Sequence, residues 1–186
     1  MSDLARENNE WFFLLERFPE LILNEKTCVD MPLFICPEDQ DYNVLEVLTF
    51  FKEHDAYHMD YLKFLSITDW SDVLEVVYHL FSYRTQKRCL VSKRISREGP
   101  RLHSCSHIWP AANWHEREMF DLFGVVFDGH PDLKRILLPD DWQGHPLRKD
   151  YTQNQTYNGV STSRTYLTQL PSFSEDISTK TPLTKG

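Results

Sequence analysis

The side chains best suited to chemistry lie in the second half of the chain. His103, Cys105 and His107 alternate, with His115 close behind, and on a strand the three alternating groups would share one face. Such a trio could bind a divalent metal through imidazole and thiolate. It lacks a fourth ligand at a recognised zinc spacing, so a structural cluster is the favoured reading. His115-Glu116 begins like a zinc-protease helix, but the second histidine would fall at position 119, which is Met119. Ser104 and Ser106 lack the G-x-S-x-G elbow that presents a nucleophile, and Asp121-Leu122-Phe123-Gly124 has no phosphate loop or catalytic loop beside it. No G-x-G-x-x-G occurs, so no dinucleotide site is expected. Cysteines stand at 28, 36, 89 and 105 with no C-x-x-C pair, which leaves iron–sulfur, zinc-ribbon and thioredoxin-type readings without their spacing.

What remains is a dense charged set: Glu116, Arg117, Glu118, Asp121, Lys134, Arg135, Arg148, Lys149 and Asp150. In a pocket these could do acid–base work. The segment supplies no nucleophile, metal or cofactor for them to serve. A lattice of ion pairs and hydrogen bonds that fixes a helix, a loop and an interface is therefore the stronger reading.

The elements that must position these charges begin with a helix over 110–123. Pro110 suits its first position and Gly124 the residue past its end. Ala112, Glu116, Met119, Phe120 and Phe123 fall on one face. Glu116 is the exception on that apolar stripe and must be paired, hydrogen-bonded or protonated. Arg117 and Asp121, one turn apart, are expected to pair. Val125-Val126-Phe127 reads as a strand and Asp128-Gly129 as a turn. Pro131 is expected to open a short helix with Asp132 in its first turn, carrying Leu133, Ile136 and Leu137. Beyond it Pro139, Gly144 and Pro146 forbid a long helix or a central strand. Leu138, Trp142, Leu147 and Tyr151 are large apolar groups in a segment without a period, so they must pack on something.

Glu116-Arg117-Glu118, Asp121 to Gly124, His130-Pro131 through Trp142, and Gly144 through Tyr151 together resemble the signature of the 30-kilodalton subunit family of respiratory complex I, the NADH:quinone oxidoreductase. The match is continuous over this stretch and looser over about 42–112. The resemblance implies a non-catalytic subunit of the peripheral arm, needed for assembly, on the cytoplasmic face of a bacterial inner membrane. It implies no cofactor on this chain, with flavin and iron–sulfur clusters on partner subunits. It implies docking beside the subunit that borders the quinone site, through an interface of roughly 2,000 Å² or more. The docking set would be Glu116, Arg117, Glu118, Asp121, Gly124, His130, Pro131, Arg135, Leu138, Pro139, Trp142, Gly144, Pro146, Leu147, Arg148, Lys149, Asp150 and Tyr151. Trp142, Leu138 and Leu147 would be its anchors, and Arg135 and Arg148 would form bidentate ion pairs. Homologous subunits of membrane-bound hydrogenases or plastoquinone-linked dehydrogenases share the Glu-Arg-Glu stretch and remain an alternative. A stand-alone metalloenzyme is a weaker one.

Composition agrees with this class. The 186 residues allow one domain plus extensions, and a net charge of −8 argues against nucleic-acid binding. Acidic groups outnumber basic ones by ten in residues 1–60, while basic groups lead by two in the remainder, an oriented surface or simply a solvated acidic face. No apolar run approaches the length of a membrane span, and few cysteines without a signal peptide fit a reducing compartment, so any membrane association is expected through partners.

Along the chain, residues 4–18 read as a helix with Leu4, Trp11, Leu14, Leu15 and Phe18 inward, ended by Pro19. Residues 27–36 read as an edge strand on the alternation of Val29, Met31, Leu33 and Ile35, with Pro32 against a central place. Asp41 would cap a helix to about His54 with Leu45, Leu48 and Phe51 inward. Residues 57–67 look extended with Tyr57, Met59 and Tyr61 on one face. Residues 73–84 read as a central strand, Thr85-Gln86-Lys87 as a turn, and Cys89, Val91, Lys93 and Ile95 as one face of its half-exposed hairpin partner. Arg94 to Arg101 reads as a polar connection, and Leu102–Ile108 as a last short strand. The expectation is an α+β fold, two layers with helices on a mixed, mostly antiparallel sheet. Its parts would be a domain over 1–127, a docking segment over 128–151 and a tail over 152–186. The tail, Ser/Thr/Asn/Gln-rich with Val160, Tyr166, Leu167, Leu170 and Phe173 far apart, should order only along a partner.

Overall fold

A computed structural model describes residues 10–24, 31–39 and 42–162 of the chain. The described residues fall into two units that divide after Tyr151. In the first, the elements run α1 (Phe12–Arg17), β1 (Ile22–Asn24), β2 (Leu33–Ile35), α2 (Val44–Glu53), β3 (Tyr61–Asp69), β4 (Val73–Phe81), β5 (Arg88–Ser96), β6 (Arg101–His103), α3 (Ala112–Phe123) and β7 (Val126–Asp128). The sheet order is β1-β2-β5-β4-β3. Only β2–β5 is parallel; β1–β2, β4–β5 and β3–β4 are antiparallel. The fold is α+β with a mixed, mostly antiparallel sheet. No helix of the described residues is long and apolar enough to cross a membrane.

Alternation decides which sheet face is covered. Leu74, Val76, Tyr78 and Leu80 of β4, and Cys89, Val91 and Ile95 of β5, all point into one core. On α2 the buried Val44, Val47, Leu48 and Phe51 recur at helical spacing. Asn43 caps this helix, its side-chain oxygen accepting from the Leu45 N–H at 3.1 Å. Asp41, the expected cap, lies outside the described residues. Trp11 sits among Phe34, Phe51 and Tyr57, with ring centroids 5.2, 6.1 and 5.3 Å away. Of the helix expected over 4–18, α1 is the described part; residues before Glu10 are outside it.

Several expectations need correction. The strand read from Leu33 and Ile35 is interior, because β1, which no pattern marked, pairs on its far side. Its buried side chain is Phe34, followed by Cys36, not the alternating set expected. Pro32 is tolerated because it precedes the strand and only its carbonyl is used, by the Leu90 N–H at 2.9 Å. Tyr57 and Met59 are buried, but β3 starts at Tyr61, which is exposed. A register shift between Leu62 and Phe64 then turns Leu65 and Ile67 inward. β5 runs on to Ser96, so the polar connection is shorter than expected. Pro110 lies in the turn before α3 rather than in it, and the strand expected over Leu102–Ile108 is Arg101–His103, paired in parallel with β7.

Lys93 sits on the core side of β5, 1% exposed. Its ammonium donates to the Pro37 carbonyl at 2.6 Å and to the Asp39 carbonyl, and it lies over the Tyr42 ring at 5.3 Å. Burial lowers its pKa, but two carbonyls and a ring face solvate the charge where water does not.

The second unit contains β8 (Thr156–Tyr157) and β9 (Val160–Ser161), an antiparallel hairpin. The turn is Asn158-Gly159, both with positive φ, the two-residue signature of a type I′ turn. Part of the tail therefore has structure of its own, contrary to expectation. Tyr166, Leu167, Leu170 and Phe173 lie outside the described residues.

Lys93→Ala leaves two carbonyls without a donor and removes the stem from the core. It is expected to cost about 2–4 kcal/mol, read as a lower urea midpoint with an unchanged slope.

Candidate functional site: a carboxylate-clamped segment

Three buried carboxylates clamp this end of the domain, and two of them tie the segment after β7 to the body. Glu116, fully buried on α3, accepts from the Ser104 hydroxyl at 2.6 Å and the Cys105 N–H at 2.7 Å. It thereby binds the helix to the loop after β6. His130 lies 4.0 Å from it. The imidazole Nδ1 of His130 accepts from the Asp132 N–H at 3.0 Å, which leaves Nε2–H to donate to the Asn113 carbonyl at 3.1 Å.

Asp121 is the second clamp and is also fully buried. Arg135 donates to it at 2.8 Å, and three successive N–H groups, of Ile136, Leu137 and Leu138, reach its other oxygen at 3.1, 2.8 and 3.0 Å. This overturns two expectations. Arg117 does not pair with Asp121 but donates to the Lys134 carbonyl at 3.2 Å and stacks on Trp114. The short helix after Pro131 does not form, because the N–H groups that would join its hydrogen-bond ladder turn to one carboxylate instead. Arg135 also donates to the carbonyls of Trp142 at 3.1 Å and Gly144 at 3.3 Å, so it gathers the segment rather than forming a bidentate ion pair. Burial raises the Asp121 pKa, but the N–H groups of Leu138, Leu137 and Ile136 with Arg135 outweigh it and hold the carboxyl below its ordinary value.

The third clamp, Asp69, lies at the end of β3 and carried no sequence signal. It accepts from the Lys149 N–H at 2.8 Å, the Ser71 N–H at 2.8 Å and Arg97 at 2.9 Å. Arg97 also reaches Asp150 at 2.7 Å. Burial again opposes these donors and loses, so the Asp69 pKa is lowered. Arg148 donates to the Arg97 carbonyl at 2.8 Å and meets no carboxylate among the described residues, so its expected bidentate pair is absent within the chain.

Close backbone approach completes the seam. Gly124 ends α3 at φ +74°, and a Cβ there would stand 2.5 Å from the His145 ring. His145 lies 3.0 Å from the Asp121 carbonyl through Nδ1, and the Leu147 N–H donates to Leu122 at 3.1 Å. His145 belongs to the motif but was not singled out. At Gly144, φ +79°, a Cβ would press the Tyr151 ring at 3.1 Å, and the Tyr151 hydroxyl accepts from the Trp142 indole at 3.1 Å. The Pro139 carbonyl accepts from the Trp142 N–H at 3.0 Å. Pro131 is exposed and Pro146 half-buried, each shaping the chain rather than bonding; Glu118, half-buried, makes no polar contact among the described residues.

The metal trio is not assembled. His103 and His107 are exposed while Cys105 is buried, and no three such groups converge among the described residues. Burial pushes the Cys36 thiol up to about 12, opposed by Lys93, and raises Cys89 and Cys105 as well, so none is a thiolate near neutrality.

The family model described as respiratory-chain NADH dehydrogenase, 30 Kd subunit, matches residues 39–157. The chain belongs to this family. Its relatives include the NADH-quinone oxidoreductase subunit lettered C of Chloroherpeton thalassium, 40% identical over 78% of this chain and 60% of that protein. The subunit of the same name from Moorella thermoacetica is 44% identical over 72% of this chain and 87% of its own length. An NADH-quinone oxidoreductase protein of Phocaeicola vulgatus, with the double designation C/D, is 48% identical over 55% of this chain and 20% of itself. Among solved structures, the trypsin-resistant fragment 1–134 of Nqo5 matches with a TM-score of 0.55 at 26% identity, covering 67% of this chain and all of that one. A chain of the membrane-bound sulfane sulfur reductase, an archaeal respiratory membrane complex, matches at 0.63 with 26% identity over 75% of this chain and 82% of its own.

Asp121→Ala is expected to release residues 134–151 while the sheet stays folded. Amide exchange at 136–138 should speed up at least about a hundredfold, and trypsin should cut after Lys134 and Arg135 sooner. In the unaltered chain Asp121 and Asp69 have lowered pKa values, so their stabilisation is complete above about pH 4 and fades only as pH falls through the lowered folded values. Exchange at 136–138 should accordingly stay slow from pH 8 to 5, after correction for intrinsic rates, and rise below pH 4.

Proposed function

We propose that this chain is a non-catalytic subunit of the peripheral arm of a proton-translocating NADH:quinone oxidoreductase, needed for assembly and held beside the subunit that borders the quinone site. On this reading it works at the cytoplasmic face of the bacterial inner membrane. Membership of the family supports the complex. The relative with the double designation C/D supports a close neighbour, since its name joins the counterpart of this chain and a second subunit in one protein. Electron carriers, flavin and iron–sulfur clusters, belong to the partner subunits.

One observation carries the docking role. Residues 130–151 have no helix or strand, yet they are fixed by Asp121 and Asp69 while large apolar groups stay outward. Leu137 is 60% exposed, Leu147 52% and, on α3, Trp114 63%. A stiff irregular strip with such groups outward loses little conformational freedom on binding, so more of the contact energy becomes affinity. Arg148, already oriented by the Arg97 carbonyl, offers a planar fork to a carboxylate on the neighbour.

A second reading stays in the same class. The match to the sulfane sulfur reductase chain shows this fold in another respiratory membrane complex. Partners recovered with a tagged chain separate the two: subunits of a quinone-linked NADH dehydrogenase support the first, those of another complex the second.

A chain ending at Leu138 is expected to stay soluble and to lose at least about 90% of the co-purifying subunits. Because truncation also removes the contacts to Asp69, Arg148→Ala is the finer test. Its thermal midpoint should stay within about 3 °C of the unaltered chain, while recovery of the quinone-site subunit falls several-fold. Normal recovery by both variants would overturn the docking role.

A further inference from the structure

The face of the five-stranded sheet turned away from the core is half-exposed, with two largely apolar rows at its centre. Strand register sets Ile22, Ile35, Ser92, Val77 and Ser66 side by side in one row across the five strands. Asn24, Leu33, Leu90, His79 and Phe64 form the next row. Ile22 is 63% exposed and Phe64 39%. His79, in the middle of its row, is only 5% exposed, and neither ring nitrogen has a hydrogen-bond partner. The Ser92 hydroxyl, one row away, is buried and unpartnered as well. A buried polar group without a partner costs free energy that an apolar residue of the same shape would not. Nothing within the described fold gains from the imidazole nitrogens.

The charges around it are of one sign. Burial, then Lys63 and Arg88, depress the pKa of His79, so it is a neutral imidazole beside two cations. Both cations are exposed and neither forms an ion pair among the described residues. Phe64 stands edge-on to the imidazole with ring centroids 4.9 Å apart. Turning that exposed side chain opens the ring.

We propose that this sheet face is a second docking surface, for a neighbouring subunit that lays an apolar patch on the two rows and presents a carboxylate to His79 between Lys63 and Arg88. The proposal rests on the reading of the chain as part of a larger assembly. The carboxylate supplies what the isolated face lacks: an acceptor for one imidazole N–H and a counter-charge for two cations. It is a different surface from the clamped segment, so the chain would be gripped on two sides.

The test uses the tagged full chain assembled into its complex. His79→Phe keeps an apolar ring and removes the orphan nitrogens; it is expected to raise the thermal midpoint of the isolated chain by about 2–6 °C. The same change should lower recovery of one neighbouring subunit several-fold. Lys63→Glu with Arg88→Glu should lower it at least about tenfold with little change in midpoint. Zero-length carbodiimide coupling of the unaltered complex should join Lys63 to an Asp or Glu of that neighbour. Full recovery with the charge-reversed chain, or coupling of Lys63 to a second copy of this chain, would overturn the proposal. The chain ending at Leu138, run in parallel, keeps the two readings apart. If it loses its partners while the sheet-face variants do not, only the second surface is refuted. If neither loses them, both readings fall.

Discussion

The Asp121 carboxylate is the contact on which the rest of the strip after β7 depends. A segment with two prolines and a glycine in quick succession cannot satisfy its own backbone by helix or sheet. Left to itself it would be solvated coil. Asp121 gathers three consecutive N–H groups and an arginine, and that arginine in turn collects two carbonyls further along. One buried anion thus replaces the hydrogen-bond ladder that the local sequence forbids. Asp69 repeats the device for the last turn of the strip. Burying two carboxylates would be ruinous without these donors; with them the charge is kept and the pKa values fall rather than rise.

Much of the body was readable from residue patterns because burial there follows a simple period. β4, α2 and the apolar stripe of α3 each repeat at the spacing of their element, and the structure covers the faces those repeats define. The errors cluster where a contact distant in sequence overrode a local one. Arg117 and Asp121 have ideal helical spacing, yet Asp121 is buried by a segment fourteen or more residues later. β1 has three residues, too few for any alternation to show. Asp69 carries no signal of its own in the sequence; only its meeting with Lys149, eighty positions on, gives it a role. The Asn158-Gly159 hairpin was the opposite case, a plain local signal passed over because its surroundings were polar.

The charged motif was legible as a lattice but not as a hierarchy. Its members are not equivalent once placed. Glu116 and Asp121 are sealed and structural, while Arg148 is spare and Glu118 makes no polar contact among the described residues. Buried carboxylates accept from backbone N–H groups, which no sequence motif displays. Glycines 124 and 144 are required for two reasons at once, a left-handed backbone and a ring pressed where a side chain would begin. The clamped strip is thus stiffened by its own anions, whereas the outer sheet face keeps a buried imidazole with no acceptor among the described residues.

The parallel pairing of β2 with β5 also sets an order of events during synthesis. Leu33 is matched with Leu90 and Ile35 with Ser92, so the strand has no inner neighbour until more than fifty further residues have left the ribosome. β3, β4 and β5 can meanwhile close as successive hairpins, since each pairs with the next in line. β1 and β2, antiparallel to each other, would therefore be taken up together onto a sheet already made.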